Sequence, residues 1–193
     1  MKQLIFASNN AHKAHEIRAL LNNRFDIITL KEAGILIDIP EPHATLEENA
    51  SEKSLTIYKL TNKDCFSEDS GLEVEALAGE PGVKSARYAG EKASAEENNA
   101  LLLKKMENIS NRNAQFKTVI SLIMDGKEMM FEGVCEGSIA LQPSGNGGFG
   151  YDPLFIPKGY DKTFAELGIE VKSLISHRKK AIASMNQFFK KCS

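Results

Sequence analysis

Apolar and polar positions alternate between two periods along this chain. Lys2 to Ala7 is a short apolar run that breaks at Ser8-Asn9-Asn10, which predicts a buried strand. Ala11 to Asn23 then takes helical spacing, with Ile17, Leu20 and Leu21 as its stripe and Glu16 and Arg18 facing out. Phe25 to Leu30 predicts a second strand, so the chain opens as strand, helix, strand. Beyond a loop marked by Pro40 and Pro42, Thr45 to Leu60 reads as a helix, with Thr45 as N-cap and Glu48 three residues on. Cys65-Phe66-Ser67 predicts a short buried strand ending at Glu68-Asp69-Ser70-Gly71. Gly79 to Gly82 predicts a turn, and Ser94 to Met106 a further helix. Phe116 to Met124 alternates as a strand, Asp125-Gly126 suits a type I′ hairpin, and the return strand puts Met129, Phe131, Cys135, Ile139 and Leu141 on one face. The opposite face carries Glu128, Glu132 and Glu136, an acidic stripe read as solvated. A glycine-rich stretch fills Ser144 to Asp152. A last helix begins near Ser176, with Ile182, Met185 and Phe189 turned inward. The sum is a single α/β domain.

Composition narrows the class. A chain of 193 residues that is 42% hydrophobic can bury a core of its own. No apolar run reaches the length of a membrane span, and the N-terminal apolar stretch is too short for a signal-peptide core. The formal net charge of −2 gives no general pull toward nucleic acid or membrane. Cys65, Cys135 and Cys192 are odd in number and far apart, which argues against disulfides or zinc and for a reducing cytoplasm.

Four polar clusters fall at predicted element ends, where α/β proteins place ligands. Ser8-Asn9-Asn10-Ala11-His12-Lys13 combines a helix start, a hydroxyl, amides and an ammonium, which suits a phosphate; Ser and Asn before a helix also serve as ordinary caps. Glu68-Asp69-Ser70-Gly71 offers adjacent carboxylates for Mg²⁺ and for water activation, or else a simple turn. Gly147 to Pro153 sets glycines around Phe149 and Tyr151, either to stack a base or to pack a turn. Lys172 to Lys180 places His177 and Arg178 in a first helical turn, where the macrodipole disfavours cations and an anion should compensate.

In order and spacing these clusters resemble the inosine triphosphate pyrophosphatase family, and in particular the bacterial dITP/XTP pyrophosphatases. The resemblance runs nearly end to end. It rests on Ser8, Asn10, Lys13 and Glu16; on Glu41, Thr45, Glu48-Asn49-Ala50 and Lys53; on Glu68 to Leu72, Pro81-Gly82 and Ser85 to Tyr88; and on Gly148 to Phe155, Thr163, Ala165-Glu166, Lys172 and Ser176-His177-Arg178. Asn9 stands where many members have glycine, Glu68 where many have aspartate, and Lys179 where many have glycine.

The resemblance implies a long mixed sheet flanked by helices, two lobes around a central active-site cleft, and a homodimer. It implies hydrolysis of ITP, dITP and XTP to the monophosphate and pyrophosphate, through water attack at the α-phosphorus. Ser8, Asn10, Lys13, Lys53 and Lys172 would hold the triphosphate, Asn9, Ala11, His12 and Ser70 would also contact the substrate, and Phe149, Gly150, Tyr151, Asp152, His177 and Arg178 would hold the purine. Glu41 and Asp69, with Glu68, would bind Mg²⁺, and Asp69 would be the general base. Two other readings remain: a non-catalytic nucleotide sensor, which metal-dependent turnover would exclude, and a pyrophosphatase for other modified nucleotides, against which His177-Arg178 argues.

Overall fold

The computed structural model describes residues 2–21 and 24–191. The sequence expectations on Met1, Asn22, Asn23 and Cys192 fall outside those residues. The elements run β1 (Gln3–Phe6), α1 (Ala11–Leu21), β2 (Asp26–Thr29), α2 (Leu46–Thr61), β3 (Cys65–Val74), α3 (Ala95–Lys105), β4 (Asn113–Met124), β5 (Lys127–Ile139), β6 (Phe155–Pro157), α4 (Phe164–Ile175) and α5 (His177–Lys191). Six strands form one mixed sheet in the order β2-β1-β3-β4-β5-β6. β1 pairs in parallel with β2 and β3, while β5 and β6 are antiparallel. No helix among the described residues is long and apolar enough to cross a membrane.

The chain divides into two compact units. The first holds residues 1–69, 118–133 and 178–193; the second holds 70–117 and 134–177. In the first unit, Leu4 and Phe6 of β1, Ile17 and Leu21 of α1, Phe66 of β3, Ile120 and Leu122 of β4, and Ile182, Met185 and Phe189 of α5 share one core. The α1 and α5 stripes read from the sequence are therefore the buried faces. A second cluster in this unit sets Ile57 of α2 against Ile5, Cys65 and Ile123. In the second unit, Leu72, Leu102, Phe116, Leu154, Phe155 and Phe164 form the core.

Local signals explain most of the elements. Thr45 caps α2 by accepting from Glu48 N, and its own hydroxyl donates to the Glu48 carboxylate at 2.8 Å. Full capping boxes open α3 at Ser94 and Glu97, and α4 at Thr163 and Glu166. Asp125 and Gly126 take φ values of 49° and 76°, the left-handed pair a type I′ hairpin needs.

Four expectations differ from the structure. Glu68 to Leu72 do not follow a strand; they lie inside the ten-residue β3, extended by sheet pairing that local sequence does not reveal. Glu16 does not face out; it is buried and paired with Arg178, a long-range partner. Leu141 is 81% exposed because β5 stops at Ile139. Helix α4 has no counterpart in the sequence reading: Gly168, at φ 76°, breaks its helical period halfway.

Candidate active site

β1 lies between β2 and β3, so its carboxyl end is a switch point of the sheet, where open α/β sheets leave room for a ligand. The Ser8–Lys13 segment leaves the sheet here. The Ser8 hydroxyl accepts from Asn10 N at 3.1 Å, and the Asn10 side chain accepts from Lys13 N at 3.1 Å, so this pair does cap α1. Asn9 Oδ1 accepts from Lys31 N, which ties the turn to the segment after β2. Asn9, Asn10, Ala11 and His12 are exposed. Lys13 points back, with Nζ 3.5 Å from the Glu68 carboxylate.

Beside it, α2, β3 and the loop before α2 deliver a lysine and two carboxylates to one point. Lys53 is buried, and its Nζ donates to Glu41 Oε1 at 2.6 Å, Asp69 Oδ1 at 2.8 Å and the Glu68 carbonyl at 2.9 Å. All three ammonium donors are thereby used. Burial works to lower the Lys53 pKa, but the facing Asp69 and Glu41 charges outweigh it and hold it above the ordinary lysine value. Burial holds Asp69 above the usual carboxylate range, although Lys53 and Lys13 pull the other way. The loop that carries Glu41 is fastened by Asn49, a wholly buried residue of α2. The Asn49 side chain accepts from His43 N and donates to His43 O, fixing the loop two residues beyond Glu41.

Glu68 is occupied differently. Arg178 Nε and Nη2 donate to its two oxygens at 2.7 and 2.6 Å, while Nη1 donates to Glu16. The guanidinium is 1% exposed. Two carboxylates supply the compensation that a cation in the first turn of α5 requires. Their charges outweigh the cost of burial and raise the Arg178 pKa further.

In the second unit the glycine-rich stretch is a tight loop fastened to the start of α4. Thr163 Oγ1 donates to Ser144 O, and Ala165 N donates to Asp152 O. The Asp152 carboxylate accepts from Phe149 N at 2.9 Å and from Lys172 Nζ at 2.6 Å, with both charged side chains buried. Lys172 Nζ also lies 4.4 Å from the Phe149 ring centroid. Gly148 has φ 74°, and a Cβ there would collide with the Asp152 carboxylate, so glycine is required. Tyr151 is buried, its hydroxyl donating to Ser85 O at 2.9 Å, and burial raises its pKa. His177 stacks on Phe116 at 4.8 Å and 14°. Ser70 is half-buried in β3, next to Asp69 in the chain.

For a divalent cation the donor chemistry fits at Glu41 and Asp69. Both present carboxylate oxygens to one cationic group, and Mg²⁺ takes few protein ligands and keeps several waters. Among the described residues no group of three or more His, Cys, Asp or Glu side chains forms a fuller cage.

A family model for the Ham1 family matches residues 4–188. The chain belongs to the Ham1 family. This Ham1 chain is 48% identical to the dITP/XTP pyrophosphatase of Flavobacterium johnsoniae over 183 residues, covering 95% of each chain. It is 49% identical to that of Porphyromonas gingivalis over 189 residues, 97% of each. The solved structure of the Staphylococcus aureus Ham1 protein superposes with a TM-score of 0.91 at 42% identity, covering 100% of both chains.

The sequence reading quoted Asn49 only as part of a motif, without a role, and missed Asn98 and Asn99. The signal was present: buried asparagines inside helices run against helix propensity, which calls for a hydrogen-bonding reason.

Proposed function

We propose that this chain hydrolyses deaminated purine nucleoside triphosphates, such as ITP, dITP and XTP, to the monophosphate and pyrophosphate. The observation that carries the reading is the convergence of Glu41 and Asp69 on Lys53, in a chain nearly half identical to dITP/XTP pyrophosphatases. Glu41 and Asp69 would hold Mg²⁺, which when bound would supply charge neutralisation at the phosphates and a more acidic water. Ser8 to Lys13 offer backbone N–H groups, a hydroxyl and an ammonium to the triphosphate, and Lys53 and Lys172 add positive charge. Ser70 binds beside Asp69. Asp69, held by burial above the usual carboxylate range, takes the proton of a water that attacks the α-phosphorus in line. The phosphorus–oxygen bond to the β-phosphate breaks, and pyrophosphate leaves.

Phe149, Gly150, Tyr151 and Asp152 hold the purine, with the Phe149 ring as the stacking surface. His177 donates to the 6-oxo group, so the 6-amino group of adenine leaves that donor unpaired. Because the Arg178 nitrogens already face Glu68 and Glu16, Arg178 is assigned to holding those carboxylates, and Glu68 to neutralising Arg178 rather than to the metal. A cytoplasmic homodimer completes the reading, on the family resemblance.

The test is pyrophosphate release from ITP, XTP, GTP and ATP with Mg²⁺. ITP and XTP should turn over fast and ATP slowly. Asp69→Asn should lose a factor on the order of 10² or more in kcat. His177→Ala should narrow the ITP-over-ATP preference. Binding of ITP without turnover in the unaltered protein would instead establish a sensor.

A further inference from the structure

Two neighbouring asparagines of α3, both buried, each reach out of the helix to a different segment of the second unit. The Asn98 side chain accepts from Ala89 N at 2.8 Å and donates to Ala86 O at 3.1 Å, so it fastens the turn around Gly82–Arg87 with both ends of its amide. Asn99 is 6% exposed, and its Nδ2 donates to Gly150 O at 3.1 Å, across 51 residues of sequence. Its Oδ1 is buried and has no hydrogen-bond partner among the described residues.

The bond from Asn99 falls between two tethered residues of the glycine loop. Gly150 has φ 61° and lies between Phe149, whose N–H is held by Asp152, and Tyr151, whose hydroxyl is held by Ser85 O. Asp152 of the loop itself, Lys172 of α4 and the Ser85 turn also anchor the loop's centre. Asn99 grips the backbone carbonyl that sets the peptide plane between Gly150 and Tyr151, one residue beyond Phe149.

A buried amide that uses only one of its two ends is a costly way to stabilise a fold, since the other end is desolvated for nothing. Asn98, which uses both, is the structural counterpart on the next residue. We propose that Asn99 is a positioning residue for nucleobase recognition, holding the Gly150 peptide so that Phe149 and Asp152 meet the purine in one orientation. This rests on the proposed purine-binding role of Phe149 to Asp152.

The experiment compares Asn99→Leu, Asn99→Ser and Phe149→Ala with the unaltered protein in four readouts: KM and kcat for ITP, the ITP-to-ATP preference, melting temperature, and amide exchange in residues 145–153. Both Asn99 variants should raise KM about tenfold, the effect of one lost hydrogen bond, with kcat within about twofold. The purine preference should narrow and loop exchange should quicken, with Asn99→Leu melting no lower than the unaltered protein. A lower melting temperature with KM and preference unchanged would overturn the proposal and leave Asn99 a packing residue. Should Asn99→Leu fail to fold, Asn99→Ser, too short to reach Gly150, carries the same comparison. Phe149→Ala separates the two levels. Unchanged KM in that variant sinks the base-site reading itself, whereas raised KM there with normal KM in the Asn99 variants sinks only the positioning role.

Discussion

At the residue scale, the buried charges cluster by necessity. Arg178 is the largest wholly buried side chain among the described residues, and the carboxylates of Glu68 and Glu16 offset the cost of burying its charge. Removing one side of such a group leaves the other desolvated and uncompensated. Arg178→Met should therefore lower stability by about 3–5 kcal/mol, read from urea unfolding midpoints. Arg178→Lys should recover part of it, since an ammonium lacks the planar fork that engages Glu68 twice. Cys65 illustrates burial without a charge. Its thiol is wholly buried, and that burial, with the nearby Asp64 carboxylate, raises its pKa to about 12. An unfolded thiol ionises near 8.5. The folded state thus keeps a proton that the unfolded chain releases, so this contribution to stability is full below that pH and is lost as pH rises toward about 12. Cys65→Ala should flatten the alkaline fall of the unfolding free energy, measured by denaturant titrations at stepped pH. An unaltered slope would mean that the fall belongs to other groups.

At the element scale, legibility followed the range of the interaction. The hairpin at Asp125-Gly126, the Thr45 cap and the inward stripe of α5 were readable because each depends on residues a few positions apart. Helix α4 was not, because Gly168 interrupts its period, and the length of β3 was not, because pairing rather than pattern extends it past Ser67. The same division runs through the candidate site. The segments carrying Glu41, Lys53 and Asp69 could be picked out, but their convergence on one ammonium joins residues 12 and 16 positions apart through α2 and β3. The pairing of Glu16 with Arg178 spans 162 positions and leaves no local trace, so a helical wheel turns Glu16 the wrong way. Glycines test β3 directly. A Cβ on Gly71 would collide with the Gly82 carbonyl, a rigid backbone group, whereas one on Gly79 would enter open space at φ 89°. Gly71→Ala should cost more than about 2 kcal/mol through forced backbone movement. Gly79→Ala should cost about 1 kcal/mol through conformation alone. Equal losses in thermal unfolding would show that the close backbone approach at Gly71 is relieved at no cost.

At the scale of the whole molecule, the two units share strands rather than following one another along the chain. The first unit is assembled from three stretches and the second from two, and β3, β4 and β5 each begin in one unit and end in the other. Breaking the backbone hydrogen bonds of one half of such a strand removes the restraint on the other half, so opening of one unit should spread along β3, β4 and β5 into the other. Unfolding should be one cooperative transition. Two buried cysteines provide a native probe in each unit: Cys65 in the first and Cys135 in the second. Pulse alkylation across a urea series, with peptide mapping by mass spectrometry, should find both thiols protected in the folded protein and exposed at one common midpoint. That midpoint should match the loss of far-ultraviolet circular dichroism. If Cys135 became reactive at clearly lower urea than Cys65, the second unit would open on its own, and the shared strands would be hinges rather than ties. Coincident midpoints carry a functional consequence as well. Substitutions anywhere along β3, including Gly71 beyond the carboxylates, would then weaken the frame that holds Asp69 and Lys53 together.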